Sequence, residues 1–135
     1  MIYALDTNII SYVLKDDESV INRYRQESIN GNEYVMPIIV FYEIERWLLE
    51  LGAKNKQAMF EEMCKTIPLG EFDKNVWIKA AELYVQTRKI GKPTGDADLL
   101  IAAYCIINDY TLVTNNTKDF ERIDGVKLVN WKQTQ

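Results

Sequence analysis

Three carboxylates in this chain stand in apolar surroundings. Asp6 follows Tyr3-Ala4-Leu5, Glu43 lies between Phe41-Tyr42 and Ile44, and Asp98 sits within Gly95-Asp96-Ala97-Asp98-Leu99-Leu100-Ile101-Ala102-Ala103. A carboxylate with so many apolar neighbours risks desolvation unless it is paired, capped or metal-bound. Each alone has an ordinary explanation: a loop acid, a solvated helix residue, or a helix N-terminal acid favoured by the dipole. Together they point to shared chemistry. The chain contains no histidine. That removes Ser-His-Asp and Cys-His nucleophile systems and paired-histidine cleavage of RNA. The two cysteines, Cys64 and Cys105, lie in apolar helical stretches and read as buried thiols. Two thiols without histidine make no usual zinc site. A carboxylate cluster then selects a hard cation, Mg2+ or Mn2+. Such a site orients and deprotonates water for in-line attack on phosphorus, with a second ion about 4 Å away to stabilise the leaving oxygen.

The elements that must position these acids follow from the apolar pattern. Ile2 to Leu5 reads as a buried strand ending at Asp6, with Thr7 or Asn8 capping a helix to Leu14. Asp16-Asp17-Glu18-Ser19 opens a second helix with Val20, Ile21, Tyr24 and Ile29 inward, and Asn30-Gly31-Asn32 is a turn. Tyr34 to Met36 forms a second strand, ended by Pro37. A helix over 38–51 carries Val40, Ile44, Trp47, Leu48 and Leu51 on one stripe, and Gly52 stops it. A helix over 55–65 and a third strand at Ile67-Pro68-Leu69 follow, the proline pointing to an edge. Asp73 caps a helix reaching Lys89, and 90–95 is a loop. A helix from Asp96 or Ala97 to Asn108 turns Leu99, Leu100, Ala103 and Ile107 inward. Strands at 111–114 and 126–129 flank a polar loop and a short helical turn. Alternating strands and helices give an α/β class, a three-layer α/β/α sandwich around a mainly parallel, roughly five-stranded sheet. Ligands in such sheets bind beyond the C-terminal strand ends, where Asp6 and Asn115-Asn116 fall.

The 135 residues fit one domain spanning 1–135. Apolar residues make up 47% and charged residues 27%, enough for a core without disulfides. The net charge is −4, so any nucleic acid must meet a local basic patch or bound cations. Asp6 interrupts the apolar start, so no signal peptide is expected. No apolar run approaches the ~20 residues of a membrane span, and a reducing cytoplasm is the expected location. Residues 84–95 hold Arg88, Lys89 and Lys92 and no acid, leading straight to Asp98. Basic residues there either hold flanking phosphates or complement a helix C-terminus. Arg46 lies three residues beyond Glu43 and can face the same pocket. Trp47, Trp77 and Trp131 read as core or interface residues. The surface of Phe41, Tyr42, Trp47, Leu48 and Leu51 is more apolar than a helix buried on one side needs.

Leu5-Asp6-Thr7-Asn8, Glu43, Gly95 to Ala103, and Leu112-Val113-Thr114-Asn115-Asn116-Thr117-Lys118-Asp119-Phe120 occur in that order. With them the whole chain resembles the PIN-domain ribonucleases that serve as toxins in type II toxin–antitoxin modules, the VapC family. The resemblance implies a Mg2+-dependent endoribonuclease, with Mn2+ able to substitute, and Asp6, Glu43 and Asp98 as its metal-binding catalytic acids. Many relatives have a fourth acid after the fourth strand. Here Asn116 stands at the natural position, with Asp119 three residues later; either can serve, and Asp119 can instead cap the turn before Phe120. Asp96 is either an outer-shell acid or a helix N-cap. Thr7 and Asn8 hold the Asp6 loop and Thr114 hydrogen-bonds near the metal, so these three join Arg88, Lys89 and Lys92 in the set facing substrate. The resemblance also implies a homodimer and a cognate antitoxin that binds near the active site, with Arg46 and Trp47 as contacts.

Other classes fit less well. A phosphatase of the haloacid dehalogenase type needs a second Asp two residues after the first, where Asn8 stands. A response-regulator receiver needs adjacent acids after the first strand, and Asp16-Asp17 are not there. No glycine-rich phosphate loop is present. A non-catalytic PIN-like binding module and a DNA nuclease of similar build remain as alternatives.

Overall fold

The computed structural model describes residues 1–133. The last two residues of the expected 1–135 span lie outside the described residues. The chain runs β1 (Ile2–Leu5), α1 (Thr7–Leu14), α2 (Glu18–Ile29), β2 (Glu33–Pro37), α3 (Ile38–Leu51), α4 (Lys54–Thr66) and β3 (Leu69–Gly70). It continues through α5 (Lys74–Lys89), α6 (Asp96–Asn108), β4 (Thr111–Val113), α7 (Thr117–Glu121) and β5 (Lys127–Val129). The five strands form one sheet in the order β3-β2-β1-β4-β5, every pair parallel. The helices cover both faces, giving the expected α/β/α sandwich with a sheet that is parallel throughout.

The topology places the site. From β1 the chain steps outward to β2 and β3, then crosses back to β4 on the other side of β1. Right-handed crossovers that reverse direction put their helices on opposite faces. Accordingly α1 packs against α2, α3 and α4, while α6 packs against α5 and α7. The reversal opens a crevice between the C-terminal ends of β1 and β4, where parallel sheets bind ligands. Asp6 ends β1 and Thr114 ends β4; the Asp6 amide donates to the Val113 carbonyl at 3.0 Å, and the Thr114 amide donates to the Val129 carbonyl at 3.0 Å. Ala4, Leu5, Leu112 and Val113 are fully buried, which makes the floor of the crevice rigid.

Several local expectations are corrected. Asp6 itself caps α1, because its extended backbone lets its carboxylate accept the Thr7 amide; Thr7 is already helical. On α2 the inward stripe is Val20, Tyr24 and Glu27, and Ile21 is half-buried; Ile29 lies off this stripe and is 79% exposed. Glu27 is buried as an acceptor, taking hydrogen bonds from Tyr3 Oη at 3.1 Å, Arg23 Nε at 3.0 Å and Asn32 Nδ2 at 2.6 Å. The Arg23 hydrogen bond is the largest influence holding its carboxyl below the usual range. Leu51 and Ile107 emerge into solvent because they occupy the closing turns of α3 and α6. Trp131 is buried, Trp47 half-buried and Trp77 exposed. Both cysteines are free thiols, Cys105 buried and Cys64 only partly so.

The third strand begins two residues later than expected, at Leu69. Pro68 has no amide hydrogen and contributes only its carbonyl, which accepts the Met36 amide at 2.9 Å. Gly70 is required at this edge: a Cβ there would lie 2.2 Å from the Tyr104 hydroxyl, whose ring is fixed between Phe72 and Tyr110. This close approach seats α6, the helix that carries Asp98, against the sheet edge. Among the described residues, no helix is long and apolar enough to cross a membrane.

Candidate active site

Asp6 is 5% exposed, and its carboxylate is held from three directions. Oδ1 accepts the Thr7 amide at 2.8 Å; Oδ2 accepts Thr114 Oγ1 at 2.7 Å and Asn8 Nδ2 at 3.3 Å. Burial pushes its pKa up, the hydrogen bonds from Thr114 and Thr7 oppose that, and the charge of Glu43 raises it further. Thr114 is itself fully buried and donates to Asp6, while its Oγ1 accepts the Asn116 amide at 2.9 Å.

Glu43 lies in the second turn of α3, directly above the end of β2 in the chain. Its Oε1 accepts Thr7 Oγ1 at 2.7 Å, so adjacent residues of the first motif grip two acids. Its Oε2 lies 3.9 Å from Arg46 Nη2. Asp98 is the third residue of α6. Among the described residues, no donor hydrogen-bonds its carboxylate. Burial raises its pKa to about 6, followed by the charges of Asp6, Asp119 and Glu43, with Arg122 opposing. The acids at the end of β1 and on α3 and α7 thus lie near enough to Asp98 for their charges to bear on it.

The donor set is all oxygen, which fits a hard divalent cation. Among the described residues, no three acid or thiol groups are gathered closely enough to hold an ion unaided. An ion held by one or two carboxylates, with water and substrate phosphate completing the shell, matches the habit of Mg2+. The raised pKa of Asp98 agrees with the same fit: like charges crowd a partly dry hollow, and Arg122 offsets them only in part.

The remaining sequence candidates divide. Asn116 is exposed, and its link to the site runs through its backbone amide; the acid that bears on Asp98 is Asp119. Asp119 lies within α7 and accepts Arg122 Nη2 at 3.1 Å, so it does not cap the turn. Asp96 is not the N-cap of α6, a role taken by Gly95. Two residues before Asp98 it points about 200° away around the helix, and it lines a groove with Trp77 and Tyr84 between α5 and α6. It is therefore placed away from the acids. Arg88 folds its guanidinium over the Tyr84 ring at 5.1 Å, and Lys89 is exposed at the end of α5. Lys92 lines a cleft with Lys118, Glu121 and Arg122. Arg46 stacks on Tyr42 at 5.1 Å while leaning toward Glu43, and Lys15 lies 5.4 Å over the Trp47 ring.

Sequence reasoning missed Arg122, and it placed Asn115 at the ligand-binding strand end without giving it a role. Arg122 had a signal, its i+3 spacing from Asp119 on a helix. Asn115 had none for its role. Its amide donates to Asn8 Oδ1 at 3.0 Å, its side chain donates to Tyr12 Oη at 3.0 Å, and Asn130 Nδ2 donates to its Oδ1 at 3.1 Å. The Asn115 amide fixes which end of Asn8 faces Asp6, because Asn8 Oδ1 is occupied and Nδ2 must donate.

Thr114→Val tests this support. The substitution removes the hydroxyl that donates to the buried Asp6 Oδ2 while keeping the side-chain shape. We expect metal affinity to fall about 10–100-fold, the usual effect of losing a group that orients a metal ligand. Titration calorimetry with Mn2+ on the metal-free protein reads it; unchanged affinity would show that Thr114 does not tune Asp6.

An all-parallel sheet of this order, with acids from β1's end, α3 and α6 around its switch point, defines a class. Residues 3–126 match the family model for the PIN domain, and the chain belongs to the PIN-domain family. Its relatives include "Ribonuclease VapC2" of Rickettsia felis, 32% identical over 97% of this chain and 98% of that protein. "tRNA(fMet)-specific endonuclease VapC" of Shigella flexneri is 27% identical over 96% of this chain and 97% of that one. Among solved structures, VapBC2 from Rickettsia felis bound to a DNA fragment from its promoter contains a chain that superposes with a TM-score of 0.89. That chain is 30% identical, and the match covers 98% of this chain and 100% of that one. The likeness to the VapC ribonucleases thus runs over nearly the whole length.

Proposed function

We propose that this chain is the Mg2+-dependent endoribonuclease toxin of a type II toxin–antitoxin pair, acting in the cytoplasm, with Mn2+ able to replace Mg2+. The observation that carries the reading is the convergence of Asp6, Glu43 and Asp98 on one electrostatic field at the switch point of the sheet. When bound there, the cation supplies Lewis acidity toward a phosphate oxygen and toward water. Asp6, Asp98 and Glu43 would hold it. The Thr7, Asn8 and Thr114 donors hold the Asp6 carboxylate in one orientation at the end of β1, so that little reorganisation is needed when substrate arrives. Thr7 Oγ1 fixes Glu43, and Asp119 is the fourth acid of the set. Lys92 is the member of the basic segment best placed for substrate, since it lines a cleft with Lys118 and Arg122, while Arg88 is stacked on Tyr84.

The partner reading rests on the solved relatives, which are toxin–antitoxin assemblies. In this chain Tyr42, Leu49, Leu51 and Met59 are exposed along α3 and α4. Leu49 among them lines a groove of about 330 Å3 together with Leu48, Ala53, Gln57 and Ala58. An antitoxin segment would cover that apolar strip beside Arg46 and Trp47. A second copy would pack on the exposed Trp77, Tyr84 and Val85 face to form the homodimer.

Incubation with single-stranded RNA and with DNA of matching sequence tests the function. Cleavage of RNA in Mg2+ or Mn2+, abolished by EDTA and absent on the DNA, is the expected result. Binding without cleavage in either metal would establish the non-catalytic module instead, and cleavage of the DNA strand would establish a DNA nuclease.

A further inference from the structure

We infer that Lys92, Lys118 and Arg122 form a phosphate-binding subsite that holds the backbone of a single-stranded RNA next to the nucleotide being cut. The inference rests on the ribonuclease reading for the identity of the polyanion. The site stands on its own geometry. The three cations, from the 90–95 loop and the two ends of α7, meet with Glu121 around a cleft of about 330 Å3. That volume is at the small end of ligand-sized clefts.

Arg122 is the built part of this cleft. Its side chain is only 25% exposed. Nη2 donates to Asp119 Oδ1 at 3.1 Å and Nη1 to the Pro93 carbonyl at 3.4 Å, while Gln86 Nε2 donates to its backbone carbonyl at 3.3 Å. A guanidinium carries five N–H groups, and these contacts use two. The rest of the fork is held in place before any ligand arrives, which reduces the ordering cost of binding. Lys92 and Lys118 are both exposed, and among the described residues neither has an acid within ion-pair distance. Glu121 and the Asp119 carboxylate paired with Arg122 offset two of the three charges, leaving the cleft net positive. By contrast Arg88 is stacked on Tyr84.

Position makes the cleft more than a solvated surface. Arg122 is hydrogen-bonded to Asp119 on α7, and α7 packs against α6, the helix that carries Asp98, so the cleft adjoins the acidic hollow. An acidic chain of net charge −4 must hold a polyanion through local positive potential. A strand whose scissile phosphate lies over Asp6 and Asp98 would find these donors at a neighbouring phosphate. The contacts reach phosphate oxygens and no base edge, so they give affinity and register without sequence choice.

The test is the salt dependence of binding, read without cleavage. Fluorescence anisotropy of a short labelled single-stranded RNA, with Ca2+ in place of Mg2+, is measured across salt concentrations for three proteins. These are the wild type, Lys92→Gln/Lys118→Gln, and a control of equal charge change, Lys54→Gln/Lys74→Gln. Loss of one phosphate contact lowers the slope of log affinity against log salt by about 0.7 for single strands. We expect that fall in the subsite pair and not in the control. Equal slopes in all three proteins, equal falls in both pairs, or no RNA binding by the wild type would overturn the inference. A parallel cleavage assay in Mg2+ separates the two claims: a subsite effect in a wild type that cuts no RNA refutes the ribonuclease reading and leaves the subsite standing.

Discussion

Asp6→Asn is expected to leave a folded protein that cuts RNA on the order of a thousandfold more slowly or not at all. Metal stabilisation of a phosphoryl transition state amounts to several kcal/mol, and each ~1.4 kcal/mol is a factor of ten in rate. The fold should survive because asparagine is as good a helix N-cap as aspartate, so the Thr7 amide keeps its acceptor. Burial already opposes the Asp6 charge, so neutralising it relieves a desolvation cost. What is lost is the second anionic oxygen facing Thr114 and Asn8, where an amide nitrogen would meet donors. Single-turnover cleavage beside a thermal melt reads both halves. A folded variant that cuts at the wild-type rate would remove Asp6 from the mechanism.

Asp98→Asn is expected to abolish cleavage and to make the metal-free protein more stable at neutral pH. The Asp98 carboxyl has its pKa raised from the usual 3.8 to about 6, first by burial and then by Asp6, Asp119 and Glu43. Between those values the folded chain binds a proton more tightly than the unfolded chain. Stability of the metal-free protein therefore falls as pH rises from about 4 to about 6, and stays lowered above it. The amide carries no charge at any pH, so the variant escapes that loss. Discounted for the partial exposure of the side chain, the gain is ~1 kcal/mol, or roughly 3 °C in Tm for a domain of this size. Mg2+ should raise the wild-type Tm at pH 7.5, do so much less at pH 5, and leave the variant nearly unchanged. A variant that melts below the metal-free wild type at pH 7.5 would mean that Asp98 is stabilised by its neighbours rather than crowded by them.

These two acids also mark what a sequence can tell. Asp6 and Asp98 were legible because apolar runs on either side fixed the strand and helix that carry them, and an acid in such a run needs an explanation. The strand order was not legible. It depends on where each crossover returns, which no local pattern states, yet it decides that β1 and β4 are neighbours and that Thr114 reaches Asp6 across 108 residues. Helix faces were read well in the middle of elements and poorly at their ends: Ile29, Leu51 and Ile107 keep the apolar character but lie in closing turns. Glu27 was passed over for the opposite reason, because a charged residue on an inward stripe looks like a break until its three donors are in place. The Asp96 cap failed by one residue, since Gly95 adopts the extended backbone that starts α6. The cationic cleft was half visible. Lys92 announced itself in a basic segment, while Lys118 and Arg122 alternate with acids in the sequence and join it only through the packing of α7 against α6.

Manganese binding to the metal-free protein tests the convergence of these carboxylates most directly. Electron paramagnetic resonance of added Mn2+ counts the free ion without requiring RNA or turnover. Saturable binding by the wild type, competed by Mg2+ and lost in each of Asp6→Asn, Glu43→Gln and Asp98→Asn, is the predicted result. Binding that persists undiminished in all three variants, with their folds intact, would contradict a shared cation site built from residues 6, 43 and 98.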